Sequence, residues 1–457
     1  CICQLRTSGP TWTKANITVG SGATLAVNVG GTNELTVAEA KMLLSNLAVG
    51  INNNGMLAGS VFAIDTSNAG GDTTFDQVIA NSAGAGSGTL GVTKLGTNTL
   101  ILDQTNTYTG ILTANGTTYR VGGGGGALTI NSTASLPATG NSIVINGNGN
   151  LGTVDFNGGS YTFDGGITIS GGTVRNGTLS TAGTITIAGT PSVFVTLVGA
   201  MTLSAGTFTL SAPGGGFSGT ITMSGGGLTL KWDDDGTGRP ASYDFGANIA
   251  MTSGGTITVD KIGALGSAMN KTLQLGTLNI GNQNLTVANN NGFGLEFTGT
   301  TTLTNATPTF TVNNYTWGGL VPGLTLSGVV QGGFGMIKAG SGLMVLGNSG
   351  NTFGAPSTNN ITGGLLGVAA DGALGAAGNI VSLNGAGAGI QFRGTGTYAH
   401  QINTTVGGAY IDVIQGATAT VTTAFNGGAA SGNAFTKTGN GILEISANNN
   451  GGTPYTG

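Results

Sequence analysis

The chain has 457 residues, of which 39% are hydrophobic, 7% are charged and 90 are glycine, with a formal net charge of −4. Glycine far above its usual ~7% share, but with no Gly-X-Y period, excludes collagen, and the apolar content excludes a disordered chain. The 13 basic residues are scattered and form no basic patch, so nucleic acid is excluded as a partner.

Cys1 and Cys3 open the chain, and their i, i+2 spacing disfavours a mutual bridge. The lack of any other cysteine suits an exported protein that folds without disulfides. Neither an initiator Met nor a signal-like apolar region begins the sequence, so residues 1–35 read as strands continuing from a longer protein. The stretch "ELTVAEAKMLLSNLAVG" (34–50) breaks the β pattern. Ala40, Leu43, Leu44 and Leu47 fall at helical spacing, Thr36 and Glu39 make a capping box, and Gly50 supplies a stop. An amphipathic helix over 36–50 is expected, inserted beside a solenoid that occupies 51–457.

From about residue 85 onward, short runs of alternating Thr/Ser and Ile/Leu/Val are punctuated by Gly-Gly, Asn-Gly or Ala-Gly. "GGITISGGTV" (165–174), "GTITIAGT" (183–190) and "GTITVDKIG" (255–263) are examples. Period-two alternation predicts strands with one face buried and one wet, while Gly and Asn tolerate the backbone of tight turns. Stacked antiparallel hairpins and a right-handed parallel β-helix both accept many such strands. Internal repetition favours the β-helix, because one coil cannot bury its apolar face alone. An all-β solenoid with coils of ~20–25 residues, stacked at ~4.8 Å, would measure about 100 Å.

The segments that break this texture carry little chemistry. "GGGGG" (122–126) lacks the Lys-Ser/Thr and helix of a phosphate loop. "SVFVTLVGAM" (192–201) is shorter than the ~20 apolar residues of a spanning helix, so no membrane insertion is expected from this segment. "KWDDDGTGRP" (231–240) groups Asp233, Asp234 and Asp235 with Trp232 and Arg239. It reads either as a solvated acidic loop, or as a Ca²⁺ or sugar-binding corner with Trp232 stacked on a pyranose ring; it lacks the spaced ligands of a Ca²⁺ loop. "GALGSAMNKTLQLG" (263–276) allows a helical turn without a catalytic partner. His400 has no carboxylate or cysteine near it in sequence and is expected at the surface or in a ladder. Asn-x-Thr sequons such as those at Asn16, Asn115 and Asn403 are what an Asn/Thr-rich chain generates by chance.

One unit recurs, as "KLGTNTLILDQTNTYTG" (94–110), "KAGSGLMVLGNSGNTFG" (338–354) and "KTGNGILEISANNNGGTPYTG" (437–457). Lys94, Lys338 and Lys437 are each followed two residues on by Gly96, Gly340 and Gly439. An apolar pair follows at Leu100/Leu102, Met344/Leu346 and Leu443/Ile445. Asn-rich corners then carry Tyr108, Phe353 and Tyr455. These residues resemble the passenger-associated transport repeat of bacterial autotransporters, a Lys-x-Gly-x-Gly-x-Leu-x-Leu strand with an Asn-Thr-Tyr-Thr-Gly corner. "GLLGVAADGALGAAG" (364–378), with Asp371 to Gly375, matches the tail of that repeat. The tail after the first copy is degenerate, the second copy has Phe353 for Tyr, and the third has inserted Asn and Gly residues.

The resemblance covers about a quarter of the chain and implies a β-helical passenger exported through a C-terminal outer-membrane barrel. No stretch near residue 457 resembles barrel strands, and the third copy is cut by the chain's end, so the sequence is expected to be part of a longer protein. The function expected is that of a non-catalytic stalk, adhesin or matrix element, extracellular or on a bacterial cell surface. Surface glycans or other copies of the chain are its candidate partners. The alternatives are a self-assembling extracellular fibre and a carbohydrate-active lyase or glycosidase, the latter requiring carboxylates that converge on one face. No catalytic residue, cofactor or metal ligand is assigned from the sequence.

Overall fold

The computed structural model describes residues 2–446 apart from 6–11, 14, 51–53, 72, 96, 97, 99, 103–107, 109–116, 122–126, 131–140, 146–152, 164, 188–190, 205, 213, 214, 234–241, 264–269, 314–320, 355, 406, 424 and 428–434. Its strands pair in parallel with their counterparts one coil further along the chain, which makes the fold an all-β parallel β-helix and excludes stacked hairpins. The chain divides into two compact units. The first holds residues 1–202 and 206–219, the second 203–205 and 220–457.

The first unit begins with a four-stranded sheet of Ile2–Leu5, Thr24–Asn28, Ser60–Asp65 and Leu90–Leu95. Leu25 stands over Phe62 and Phe62 over Val92, so apolar side chains fill one inward column. The helix Val37–Ala48 is inserted between the second and third of these strands. It begins where the capping box predicts. The Glu39 amide donates to Thr36 Oγ1 at 3.2 Å, and the Thr36 amide donates to a Glu39 carboxylate oxygen at 2.8 Å. Ala40, Leu43, Leu44 and Leu47 are its buried face, as the spacing requires. Its end differs from expectation: Val49 and Gly50 enter a short parallel strand paired with Ala83–Gly84, so the helix stops because the backbone is taken into a sheet.

Further along this unit, Thr173–Ile187 runs through two corners and serves three faces of its coil. Register shifts between Arg175 and Thr178 and between Ser180 and Thr184 mark the bends. Three inward columns result: Val154–Val174–Val193–Leu210, Tyr161–Leu179–Leu197 and Ile167–Ile185–Met201. All of these side chains are buried, each fully buried aliphatic contributing about 1.5–3 kcal/mol by removal from water.

The second unit carries a nine-stranded parallel sheet: Ser242–Asp244, Thr272–Leu275, Gly294–Phe297, Leu324–Leu326, Leu343–Leu346, Gly364–Val368, Ala388–Phe392, Ala409–Val413 and Phe435–Thr438. Its inward column reads Leu273, Leu295, Leu324, Met344, Leu366, Ile390 and Ile411, and Lys437 follows in register. On a second face Phe310, Lys338, Ile361 and Leu383 stack in register. One stretch departs from the buried/wet alternation. Leu343, Val345 and Leu365 point away from the interior column yet are buried in a cluster of their own, against which Tyr410 packs. No described helix is long and apolar enough to cross a membrane.

Candidate functional site

Two of the recurring lysines, Lys94 and Lys338, are buried, whereas Lys437 occupies the equivalent strand position but is exposed. Strand parity puts Lys94 over Ile64, Lys338 between Phe310 and Ile361, and Lys437 over Ile411, all positions of the apolar columns. Lys338 is 0% exposed. Its Nζ donates to the carbonyls of Ala339 at 2.9 Å, Gly340 at 3.0 Å and, in the next coil, Gly363 at 2.9 Å. Three donors meet three acceptors, which is the full capacity of an ammonium. Lys437 repeats the first two bonds, to Thr438 and Gly439 at 2.8 Å each. Lys94 reaches the Leu95 carbonyl at 3.4 Å. Burial pushes Lys338 down to about 7 and Lys94 down to about 8, the latter opposed by the nearby charge of Asp65.

The glycine two residues after each lysine has an equally physical reason. Gly340 and Gly439 have φ of +78° and +72°, in the left-handed region. A Cβ at either would run into the backbone carbonyl of Val312 or Val413 in the preceding coil. Gly96 lies outside the described residues.

The Asn-aromatic corner is also turned inward. Phe353 and Tyr108 are buried, and burial raises the Tyr108 phenol well above its ordinary value. Asn351 accepts the Val330 amide at 2.7 Å and donates to the Ala373 carbonyl at 2.8 Å, pinning coils on either side of its own. Asn379 donates to the carbonyls of Phe353 and Leu374 at 2.9 and 3.0 Å. Tyr455, Gly457 and the rest of 447–457 lie outside the described residues, as do the corner residues 103–107, 109 and 110.

The tail "DGALG" forms a 3₁₀ turn at Asp371–Leu374, with Ala373 and Leu374 buried. Asp371 reaches into the following coil. One of its carboxylate oxygens accepts the amides of Ala399 and His400 at 2.8 and 3.1 Å and lies 2.8 Å from His400 Nδ1. The other ring nitrogen, Nε2, lies 3.0 Å from the Ala376 carbonyl. His400 is 3% exposed and is therefore not a surface residue. Its carboxylate partner comes from the neighbouring coil, which no local window in the sequence contains. Burial disfavours the charged ring, but the bonds to Asp371 and Ala376 outweigh it and raise the His400 pKa above 6.5. Burial likewise works against the Asp371 carboxylate, but the His400 and amide donors prevail and lower its pKa.

At the acidic loop, Trp232 is 1% exposed, packed against Tyr243 with ring centroids 5.7 Å apart. A buried indole offers no face to a pyranose, so that reading of Trp232 is overturned. Asp233 accepts the amides of Ile262 and Gly263 at 2.8 and 3.0 Å, joining its coil to the next. Asp234, Asp235 and Arg239 lie outside the described residues, as do 122–126, 264–269 and Asn115. Elsewhere Asp155 takes Arg175 Nε at 2.7 Å, Glu296 takes Gln274 at 2.8 Å and Asp412 takes Gln391 at 2.8 Å. Among the described residues no group of three or more His, Cys, Asp or Glu is placed to hold a metal ion.

No family model, curated protein or solved structure matches this chain.

Proposed function

We propose that this chain is a structural, non-catalytic β-helical passenger segment, carried to the outside of a bacterial cell as a stalk, adhesin or matrix element. One observation carries the reading. The repeat residues with chemical potential, Lys338, Asn351 and Asp371, are all engaged with backbone carbonyls or amides of their own or neighbouring coils. Such residues hold a solenoid together and leave little for a substrate. The likeness of the repeat to passenger-associated transport repeats adds the route of export.

The test is to place residues 1–457 ahead of an outer-membrane β-barrel translocator in a bacterium and assay accessibility to protease on intact cells. The wild-type segment is expected on the surface as a protease-resistant unit. A Lys338→Glu/Gly340→Val variant is expected to be displayed several-fold less, because two coils lose their corner. Retention of the wild-type segment beside an exported control passenger would contradict the proposal. So would release of reducing or unsaturated sugars from polysaccharides by the purified chain.

A further inference from the structure

We propose that His400, Asp371 and the Ala376 carbonyl form a pH-operated clamp between adjacent coils of the second unit, closed while the imidazole carries both ring protons and released when it loses one.

Hydrogen-bonding capacity distinguishes the two states of the ring. An imidazolium donates from both nitrogens, whereas a neutral imidazole donates from one and accepts at the other. Both partners of His400 are acceptors: a carboxylate oxygen 2.8 Å from Nδ1 and a backbone carbonyl 3.0 Å from Nε2. A neutral ring must therefore set a nitrogen lone pair against an oxygen at hydrogen-bond distance. The ring is 3% exposed, so water has little access to relieve that contact. The carboxylate is the stronger acceptor, so Nδ1 keeps its proton and the bond lost on deprotonation is the one to Ala376.

That bond is the middle link of a column. The Ala376 amide donates to the Phe353 carbonyl at 3.0 Å, and Thr423 Oγ1 donates to the His400 carbonyl at 2.9 Å. Removing the link takes the side-chain donor from the Ala376 carbonyl, which keeps only the Asn379 amide at 2.8 Å, and loosens the 371–376 corner against the following coil, where Asp371 still holds it.

Asp371 and the Tyr398 phenol are the titratable groups facing the ring's surroundings among the described residues; Gly375, Ala376 and Thr423 are uncharged. Tyr398 donates to the Gly394 carbonyl, and burial raises it further from the neutral range. Asp371 keeps the Ala399 and His400 amides in either state of the ring. A His pKa raised on folding contributes stability that is complete below 6.5 and is lost as the pH rises through the folded value. The lowered Asp371 contributes stability present above 3.8 and lost as the pH falls through its folded value. The clamp is closed between those limits.

The chain contains one histidine, so NMR of the full chain carrying ¹³C/¹⁵N-histidine observes this ring alone. The expected result is a single titration midpoint above 6.5, with both nitrogens protonated below it. Amide exchange at 398–402, corrected for intrinsic base catalysis, should accelerate as the pH passes that midpoint. His400→Gln is expected to abolish that step, and Asp371→Asn to move the midpoint down by at least about one pH unit. A wild-type midpoint at or below 6.5 overturns the proposal, and it does so even if neither variant folds. The same exchange step in His400→Gln also overturns it.

Discussion

Lys338 shows how a charge can sit in an apolar column. A buried ammonium is tolerated only when its donors are satisfied, and three carbonyls do so here. Lys338→Met keeps the stem's bulk but strips those carbonyls of a donor, and is expected to cost about 1–3 kcal/mol in denaturant unfolding. Burial holds Lys338 at about 7, against 10.5 for an ordinary lysine. Between those values the folded chain binds fewer protons than the unfolded chain, so this residue favours folding more as the pH rises. The stability difference between wild type and Lys338→Met should therefore widen between pH 7 and about pH 10. A difference that is flat, or that shrinks, would contradict the assignment. Gly340→Ala forces a Cβ into the left-handed region and against Val312, and the strain should cost at least about 1–2 kcal/mol. Alanine at the exposed Gly71, where a Cβ meets nothing within 4 Å, is the control and should be near neutral.

Elements followed from local pattern wherever the pattern was local. The helix was legible in Thr36, Glu39 and four apolar residues, because a capping box and a helical stripe lie within one short window. Thr36→Ala is expected to cost about 0.5–2 kcal/mol and to raise amide exchange in the first turn of Val37–Ala48, leaving the strands untouched. Its end was not legible, since Gly50 continues into a strand whose partner, Gly84, lies far along the chain. Strand alternation predicted the inward columns, and Met344, Leu346 and Leu100 are buried as expected, but in the third copy Ile445 is 48% exposed and Leu443 only half-buried. It did not predict the outward cluster of Leu343, Val345 and Leu365, because a continuous apolar run fits a strand covered on both faces as well as one. The direction of two of the lysines follows from the same count. Lys338 shares the parity of the buried Met336, as Lys94 shares that of Val92, so period-two counting alone turns both inward.

At the scale of the whole molecule, the parallel β-helix was legible because repetition, glycine turns and period-two strands agree with one another. The clamp was not. Asp371 and His400 belong to different coils, and which residues stack depends on loop lengths that the alternation does not set. Trp232 shows the same limit: beside three aspartates it looks like a sugar platform, yet its strand position makes it part of the core. The central claim is that the repeat's polar residues join one coil to the next. Hydrogen exchange of wild type and Lys338→Met, read by mass spectrometry, tests it most directly. The Thr362 amide donates to the Lys338 carbonyl, and the Leu365 amide to Gly342, so both report on the seam beside the Lys338–Gly363 bond. The account predicts that peptides spanning 360–366 lose protection in the variant together with those spanning 337–342, while the helix Val37–Ala48 keeps its own. Unchanged protection at 360–366 would contradict it.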